Sequence, residues 1–317
     1  MINGILNIYK EKGYTSHDVV ARLRGIVGQK KIGHTGTLDP DAEGVLPVCL
    51  GRATKVCDLL TDKDKTYEAV LLLGKTTDTQ DITGVVLEEC DPSEITEETA
   101  EKCINSFIGE YDQIPPMYSA LKVNGKKLYE LAREGKVVER KSRKVQIYDI
   151  RIKEMALPRI RMEVFCSKGT YIRTLCNDIG EALGVGGCME SLLRTKVSRF
   201  ELKDSKKLSD IEKAKEEGKL EEVLLPLDEV FAEYPKIIVT GRPAQLAYNG
   251  NPFSKEAVKN LFLPEEDRMR TDFSTVLPEY KKYRVYDEQG RFIAIYHYQK
   301  QKQLFRIEKM FFDPDGK

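Results

Sequence analysis

The sixteen residues GHTGTLDPDAEGVLPV, from Gly33 to Val48, restrict this chain more than any other stretch of it. They combine three glycines and two prolines with one histidine and three carboxylates. Glycine opens backbone angles closed to other residues, while Pro40 fixes its own φ and biases Asp39 toward an extended conformation. Leu38, Val45, Leu46, Val48 and Leu50 are apolar, so the pattern predicts a loop pressed into a core with Asp39 at its rim. An Asp-Pro pair in a plain surface turn would need no such neighbours. A carboxylate at a buried edge is unfavourable unless it has a partner or a task, which marks Asp39 as the candidate nucleophile or base.

Around this loop the hydrophobic periodicity alternates between helical and extended. Ser16 is placed to cap a helix carrying Val19, Val20, Leu23, Ile26 and Val27, with Gly28 as its stop. A buried strand is predicted from Tyr67 to Gly74, followed by the polar turn KTTDTQDITG. Helices are expected from Thr96 to Phe107, up to Gly135, from about Thr170 to Leu183, and behind a Ser209/Glu212 capping box up to Gly218. Ile160, Met162, Val164 and Cys166 alternate, as on one face of a strand. Strands and helices mix without βαβ regularity, which gives the class α+β. After Pro235 the pattern turns β-rich, with a hairpin at Asp287 to Gly290. The expected units are therefore 1–232 and 233–317, the second carrying a polar insertion at 255–282. All candidate site residues precede the boundary, so 1–232 is expected to fold and work when cut free, provided the interface is small and polar.

The formal net charge is zero, but the charge is polarised. Leu121 to Phe200 holds eighteen Lys and Arg against nine Asp and Glu, whereas Val85 to Ile114 holds nine acids and only Lys102. Tyr118, Tyr129, Tyr148 and Tyr171 are interleaved with the basic residues. Cations hold phosphates and rings stack on bases, so Lys122, Lys141, Arg143 and Lys144 are candidate contacts to an RNA backbone. A merely solvated basic face is the bland alternative. Seven cysteines without a C-x-x-C spacing suit reduced thiols in the cytoplasm, and three scattered histidines argue against a metal site. The N-terminus does not read as a signal peptide, and no apolar run has bilayer length.

Four motifs occur in order: GHTGTLDPDAEGVLPVCLGRATK, KTYEAVLLLGKTTDTQDITG, PPMYSALKVNGKKLYELAREG and CSKGTYIRTLCNDIGEALG. Together they resemble the TruB family of bacterial tRNA pseudouridine(55) synthases, from Gly4 to about Asp228 and more weakly beyond. The resemblance implies the pseudouridine synthase fold, a central mixed, mainly antiparallel sheet flanked by helices and loops, with a small C-terminal β-rich PUA-like domain. It implies a catalytic set of Asp39, Tyr67 and Arg173: the aspartate acts on the target uridine, the tyrosine stacks on the flipped base and accepts a proton, and the arginine pairs with the aspartate. It also matches His34, Tyr171 and Leu193 to residues around the flipped nucleotide. The implied partner is the T stem-loop of tRNA, handled by a cytoplasmic monomer that needs neither cofactor nor metal, nor an obligatory protein partner.

Isomerisation breaks the bond from uracil N1 to the sugar, turns the base and rejoins it through C5. A carboxylate suits attack at C1′, removal of a sugar proton, or addition to C6. Arg173 would keep Asp39 ionised and fix its plane, and Tyr67 could take the C5 proton. Two other classes compete. A uracil methyltransferase would use a cysteine, and Cys166 and Cys176 flank KGTYIR, but GVGG at Gly184 to Gly187 follows a helix rather than a strand. A non-catalytic RNA-binding or chaperone module would need only the basic face, and would have little use for Asp39.

Overall fold

The structure, a computed structural model, describes residues 1–61, 63–123, 125–264, 269–270 and 282–312. Its first unit contains β1 (Gly4–Lys10), β2 (Ile32–His34), β3 (Glu43–Leu50), β4 (Lys65–Leu73), β5 (Lys75–Thr77), β6 (Val86–Glu89), β7 (Gly109–Gln113), β8 (Lys122–Val123), β9 (Lys126–Lys127), β10 (Arg143–Ala156), β11 (Arg159–Cys166), β12 (Gly187–Val197), β13 (Phe200–Glu201) and β14 (Leu224–Leu225). The helices are α1 (Ser16–Val27), α2 (Cys57–Thr61), α3 (Glu97–Asn105), α4 (Leu128–Arg133), α5 (Ile172–Ala182) and α6 (Leu208–Glu216).

Ten of these strands form one sheet whose path is β14-β1-β3-β12-β4-β11-β10-β7, with β2 on β3 and β13 on β12. Neighbours are antiparallel except β3 and β12, which run parallel where Glu43 and Gly44 meet Leu193 and Arg194. The α+β class and the mainly antiparallel sheet follow. In β11 the alternation works as expected: Ile160, Met162, Val164 and Cys166 are buried, and with Tyr67, Ala69 and Leu71 of β4 they form the cluster on which α5 sits. The opposite face carries Glu68, Arg161 and Glu163, joined by cross-strand ion pairs such as Arg161 to Glu68 at 2.8 Å.

Several element ends differ from expectation. Thr15, not Ser16, caps α1: its hydroxyl accepts from the Asp18 amide and the Asp18 carboxylate accepts from the Thr15 amide. That frees the Ser16 hydroxyl, which instead accepts from the Leu38 amide at 2.9 Å and so ties the Asp39 loop to the helix. In α6 the capping position is Lys207, whose amide donates to Asp210 at 2.9 Å. The end of the basic run is extended: from Arg143 it enters a 14-residue strand beside β7.

The second unit is a seven-stranded sheet, β16-β21-β20-β19-β15-β17-β18. Its strands are β15 (Lys236–Val239), β16 (Phe253–Ser254), β17 (Val258–Phe262), β18 (Met269–Arg270), β19 (Lys282–Tyr286), β20 (Phe292–Gln299) and β21 (Leu304–Met310), with one helix, α7 (Gly241–Tyr248). The hairpin turn at Asp287 forms as expected, its carboxylate accepting the amides of Gln289 and Arg291. The start of the expected insertion belongs to this sheet instead: Leu261 pairs with Ile237 and Phe262 with Lys236. Much of 263–281 lies outside the described residues. The seam between the units has an apolar centre with polar contacts beside it, the Tyr286 hydroxyl donating to Asp228 at 2.6 Å and Arg284 standing 3.5 Å from Glu229. Phe231, Ile295 and Phe311 are buried together with Ile5, Val45, Cys49, Val197 and Phe200 of the first sheet.

Candidate active site

The Asp39 loop is held from below and from both sides. Leu38 and Ala42 enter the core beside Tyr67. The Ala42 amide donates to the Asp39 carbonyl at 3.1 Å, closing a turn through Pro40. Lys10, fully buried on β1, donates to the carbonyls of Ala42 at 2.6 Å and Pro40 at 3.0 Å. Gly44 is required: its φ is +106°, and a Cβ there would stand 2.2 Å from the Arg194 carbonyl oxygen. This is where β3 passes β12.

Asp39 meets Arg173, the second residue of α5, with Oδ2 3.0 Å from Nε. The arginine is buried and has three further acceptors. Nη1 donates to the Thr79 carbonyl at 3.0 Å, Nη2 to the Tyr118 carbonyl at 2.8 Å, and the Asp81 carboxylate stands 3.5 Å from Nη1. One guanidinium thus fixes the Asp39 loop, the turn after β5 and the segment before β8 relative to one another. The Asp39 side chain keeps 41 % of its surface open, so it is recessed but reachable. Crowding by protein nevertheless pushes its pKa above the ordinary aspartate value; Arg173 pulls it down, and Asp81 adds to the rise. The expectation that Arg173 sets the direction is corrected: it opposes the effect of burial but does not overcome it.

Tyr67 lies on the same face, opposite Val164 of β11 and Arg194 of β12. Burial pushes its phenol up to about 12, with Arg194 acting against the rise. His34 ends β2; its Nδ1 accepts from the Gly36 amide at 3.3 Å, and burial lowers its pKa, which favours the neutral ring. Tyr171 caps α5 and is locked by two bonds to Gln113, while the Arg143 guanidinium covers its ring at 4.8 Å.

The other sequence candidates separate. Leu193 pairs with Glu68 on the opposite face of the sheet; Leu192, paired with Ala69, is the leucine that packs against the cluster containing Tyr67. A one-residue step in a strand reverses the face, which is how an alignment by motif missed it. Arg143 bonds the Gly169 carbonyl and so is held against Tyr171. Lys144 pairs with Glu110 on β7, and Lys141 and Lys122 are exposed. The basic run is therefore not one uniform strip.

Sequence reasoning missed Asp81, Lys10 and Arg194. Asp81 stood inside a segment read only as a polar turn, and its carboxylate is held there by the hydroxyls of Thr79 and Thr83. Lys10 and Arg194 carried no signal that singled them out; both are fully buried. Among the described residues no cluster of His, Cys, Asp and Glu could hold a metal ion, and no helix is long and apolar enough to cross a membrane.

An aspartate pinned by a buried arginine beside a buried tyrosine, on one face of a mixed sheet with a β-rich second unit, defines a pseudouridine synthase fold. Two solved structures superpose over 98 % of this chain and 86 % of theirs, each with a TM-score of 0.69. One is an H/ACA ribonucleoprotein bound to a substrate RNA containing 2′-deoxyuridine, 23 % identical; the other is a Cbf5–Nop10–Gar1 complex, 26 % identical. Residues 24–172 match the TruB family pseudouridylate synthase N-terminal domain, and residues 173–232 the tRNA pseudouridylate synthase B C-terminal domain. Proteins named tRNA pseudouridine synthase B are similar over nearly the whole chain: that of Lachnoclostridium phytofermentans is 52 % identical over 98 % of this chain and 100 % of its own length. The corresponding protein of Bacillus cytotoxicus is 40 % identical over 98 % and 97 %. The chain belongs to the TruB family of pseudouridylate synthases.

Proposed function

We propose that the protein isomerises the T-loop uridine at position 55 of tRNA to pseudouridine, acting as a monomer without a protein partner. The observation that carries this reading is the Asp39 carboxylate fixed by Arg173 at 3.0 Å at an accessible rim beside Tyr67. A uridine inside a folded loop cannot reach that rim, so the base must leave its stack. Unstacking costs a few kcal/mol, offset by stacking on a protein ring at about 1–3 kcal/mol per base and by phosphate contacts. Tyr67, Leu38, Leu192 and Ile172 give the base an apolar floor. Arg173 holds the plane of Asp39 toward the nucleoside and, being tied to two carbonyls as well, does not follow a carboxylate that moves. Asp39 acts on the target nucleoside, and Tyr67 takes the proton from C5. Tyr171 and Arg143 close one wall, and Lys122 and Lys141 touch the backbone. The units are taken as 1–232, which holds the chemistry, and 233–317, a PUA-like extension of the RNA surface.

The test is direct. Unmodified tRNA transcript is incubated with the protein and pseudouridine is mapped by carbodiimide-blocked reverse transcription. A single new stop at position 55, abolished in a transcript carrying cytidine there, is expected. RNA binding without a new stop would favour a non-catalytic chaperone.

A further inference from the structure

Arg194 stands out because, among the described residues, no carboxylate answers its charge. It is fully buried on β12. Nε donates to the Val45 carbonyl at 2.7 Å and Nη1 reaches the Thr37 carbonyl at 3.4 Å. Nη2 makes no hydrogen bond of normal geometry, and among the described residues no carboxylate forms an ion pair with this guanidinium. Removing a guanidinium from water without a counter-ion is costly, and carbonyls satisfy its donors without neutralising it. The side chain directly opposite on β4 is Tyr67, whose hydroxyl interacts with it electrostatically. The other charged or titratable groups near the pair are Cys166 and Asp39 around Tyr67, and Lys10 and His34 around Arg194. Among the described residues, Tyr67 is the one group facing Arg194 across the strands that can become an anion in contact with it.

We infer that Arg194 is a positioning residue for Tyr67: its unmatched buried guanidinium is the counter-charge for the phenolate that Tyr67 must become to take the C5 proton. This rests on the reading of Tyr67 as proton acceptor. In the rejoined intermediate C5 carries both hydrogen and ribose, and N1 is doubly bonded to C6. The phenolate oxygen forms a bond to the C5 proton, the C5–H electron pair becomes the C5–C6 double bond, and the N1–C6 π pair moves to N1, which takes a proton from water. Tyr67, now neutral, returns its proton to solvent after release. Arg194 holds the phenol in place through the same strand that fixes Val45 and the Asp39 loop, and its charge raises the ionised fraction of a phenol that burial alone would keep neutral.

The experiment uses a T stem-loop RNA with 5-deuterouridine or ordinary uridine at the target position, in single turnover with the full-length enzyme and with Arg194→Gln, Arg194→Lys and Tyr67→Phe. Arg194→Gln is expected to bind RNA within about threefold of the parent, to slow chemistry by roughly 10–100-fold, and to show a deuterium effect of about two or more where the parent shows less. Its rate should climb toward tenfold per pH unit between pH 6 and 9, since proton removal has become limiting. Arg194→Lys, which keeps a cation but loses the guanidinium geometry, should recover part of the rate and reduce the deuterium effect. A slow Arg194→Gln with the parent deuterium effect and pH profile would overturn the inference. Should that variant fail to fold by circular dichroism, Arg194→Lys decides: a rate loss without an increased deuterium effect overturns it. If Tyr67→Phe turns over with the parent deuterium effect, the proton-acceptor reading itself fails, which is distinct from an inactive Tyr67→Phe beside an unaffected Arg194 variant.

Discussion

Replacing Phe311 by alanine should loosen the second sheet from the first. Phe311 is 2 % exposed and lies in the seam, its ring stacked on Phe292 with centroids 5.3 Å apart and 5.6 Å from Phe231. Truncating a buried phenylalanine typically costs about 3–5 kcal/mol, the lost transfer energy plus the cavity left behind. A chain of this kind is stable by only about 5–15 kcal/mol, so the loss is a large share. The cavity would open between units, because Phe231, Val45 and Val197 border it from the first and Ile295 from the second. The chain has no tryptophan, so urea unfolding is followed by tyrosine fluorescence and far-ultraviolet circular dichroism. The expected result is an earlier transition that splits in two. Phe305→Ala, inside the second sheet's own cluster, should cost a similar amount while leaving the first unit's transition in place. A loss below about 1 kcal/mol with a single unchanged transition would refute the reasoning. The same seam revises the expectation for a chain ending at Ala232: such a fragment leaves Phe231 and Phe200 uncovered and should be less stable and stickier than the parent.

Asp39→Asn, which carries a fixed cost for losing the ion pair with buried Arg173, should gain stability relative to the parent as pH rises from about 3.5 to 7. The folded pKa of Asp39 lies above its unfolded value, so ionisation penalises the fold above the unfolded pKa of about 3.9, and the relative gain of asparagine should vanish as pH falls below it; urea unfolding at pH 7 and pH 3.5 checks both. Asp81→Asn removes a charge that raises the Asp39 pKa, so the acid limb of kcat/KM should move to lower pH while turnover falls through the loss of an anchor on Arg173. In RNA binding, Lys141→Ala should reduce the salt slope by about one, and Lys144→Ala by less because Glu110 already answers its charge; equal slopes in both variants would contradict this.

The periodic elements were legible in the sequence because burial there follows simple alternation. Ile160, Met162, Val164 and Cys166 could be assigned to one face without knowing what covered it. The Asp39 loop was legible for a different reason: its glycines and Pro40 leave few backbone paths, and its leucines need a core. What stayed hidden depends on distant segments meeting. Asp81 gains meaning only because Arg173, 92 residues away, is brought to it by α5. The direction of the Asp39 pKa also escaped, since burial of a rim is a tertiary property. Arg194 and Leu193 show the limit most sharply: adjacent in a strand, they point to opposite faces, and only the register against Tyr67 and Glu68 decides which one joins the site.

The most direct test of the account is the rate of pseudouridine formation at position 55 by Asp39→Asn, with tRNA binding measured in parallel. An isosteric change that removes one carboxylate at an accessible rim should leave binding within a few-fold and reduce product formation to background. Product at more than a trace of the parent rate, from a variant that folds and binds tRNA, would contradict the assignment of the chemistry to Asp39.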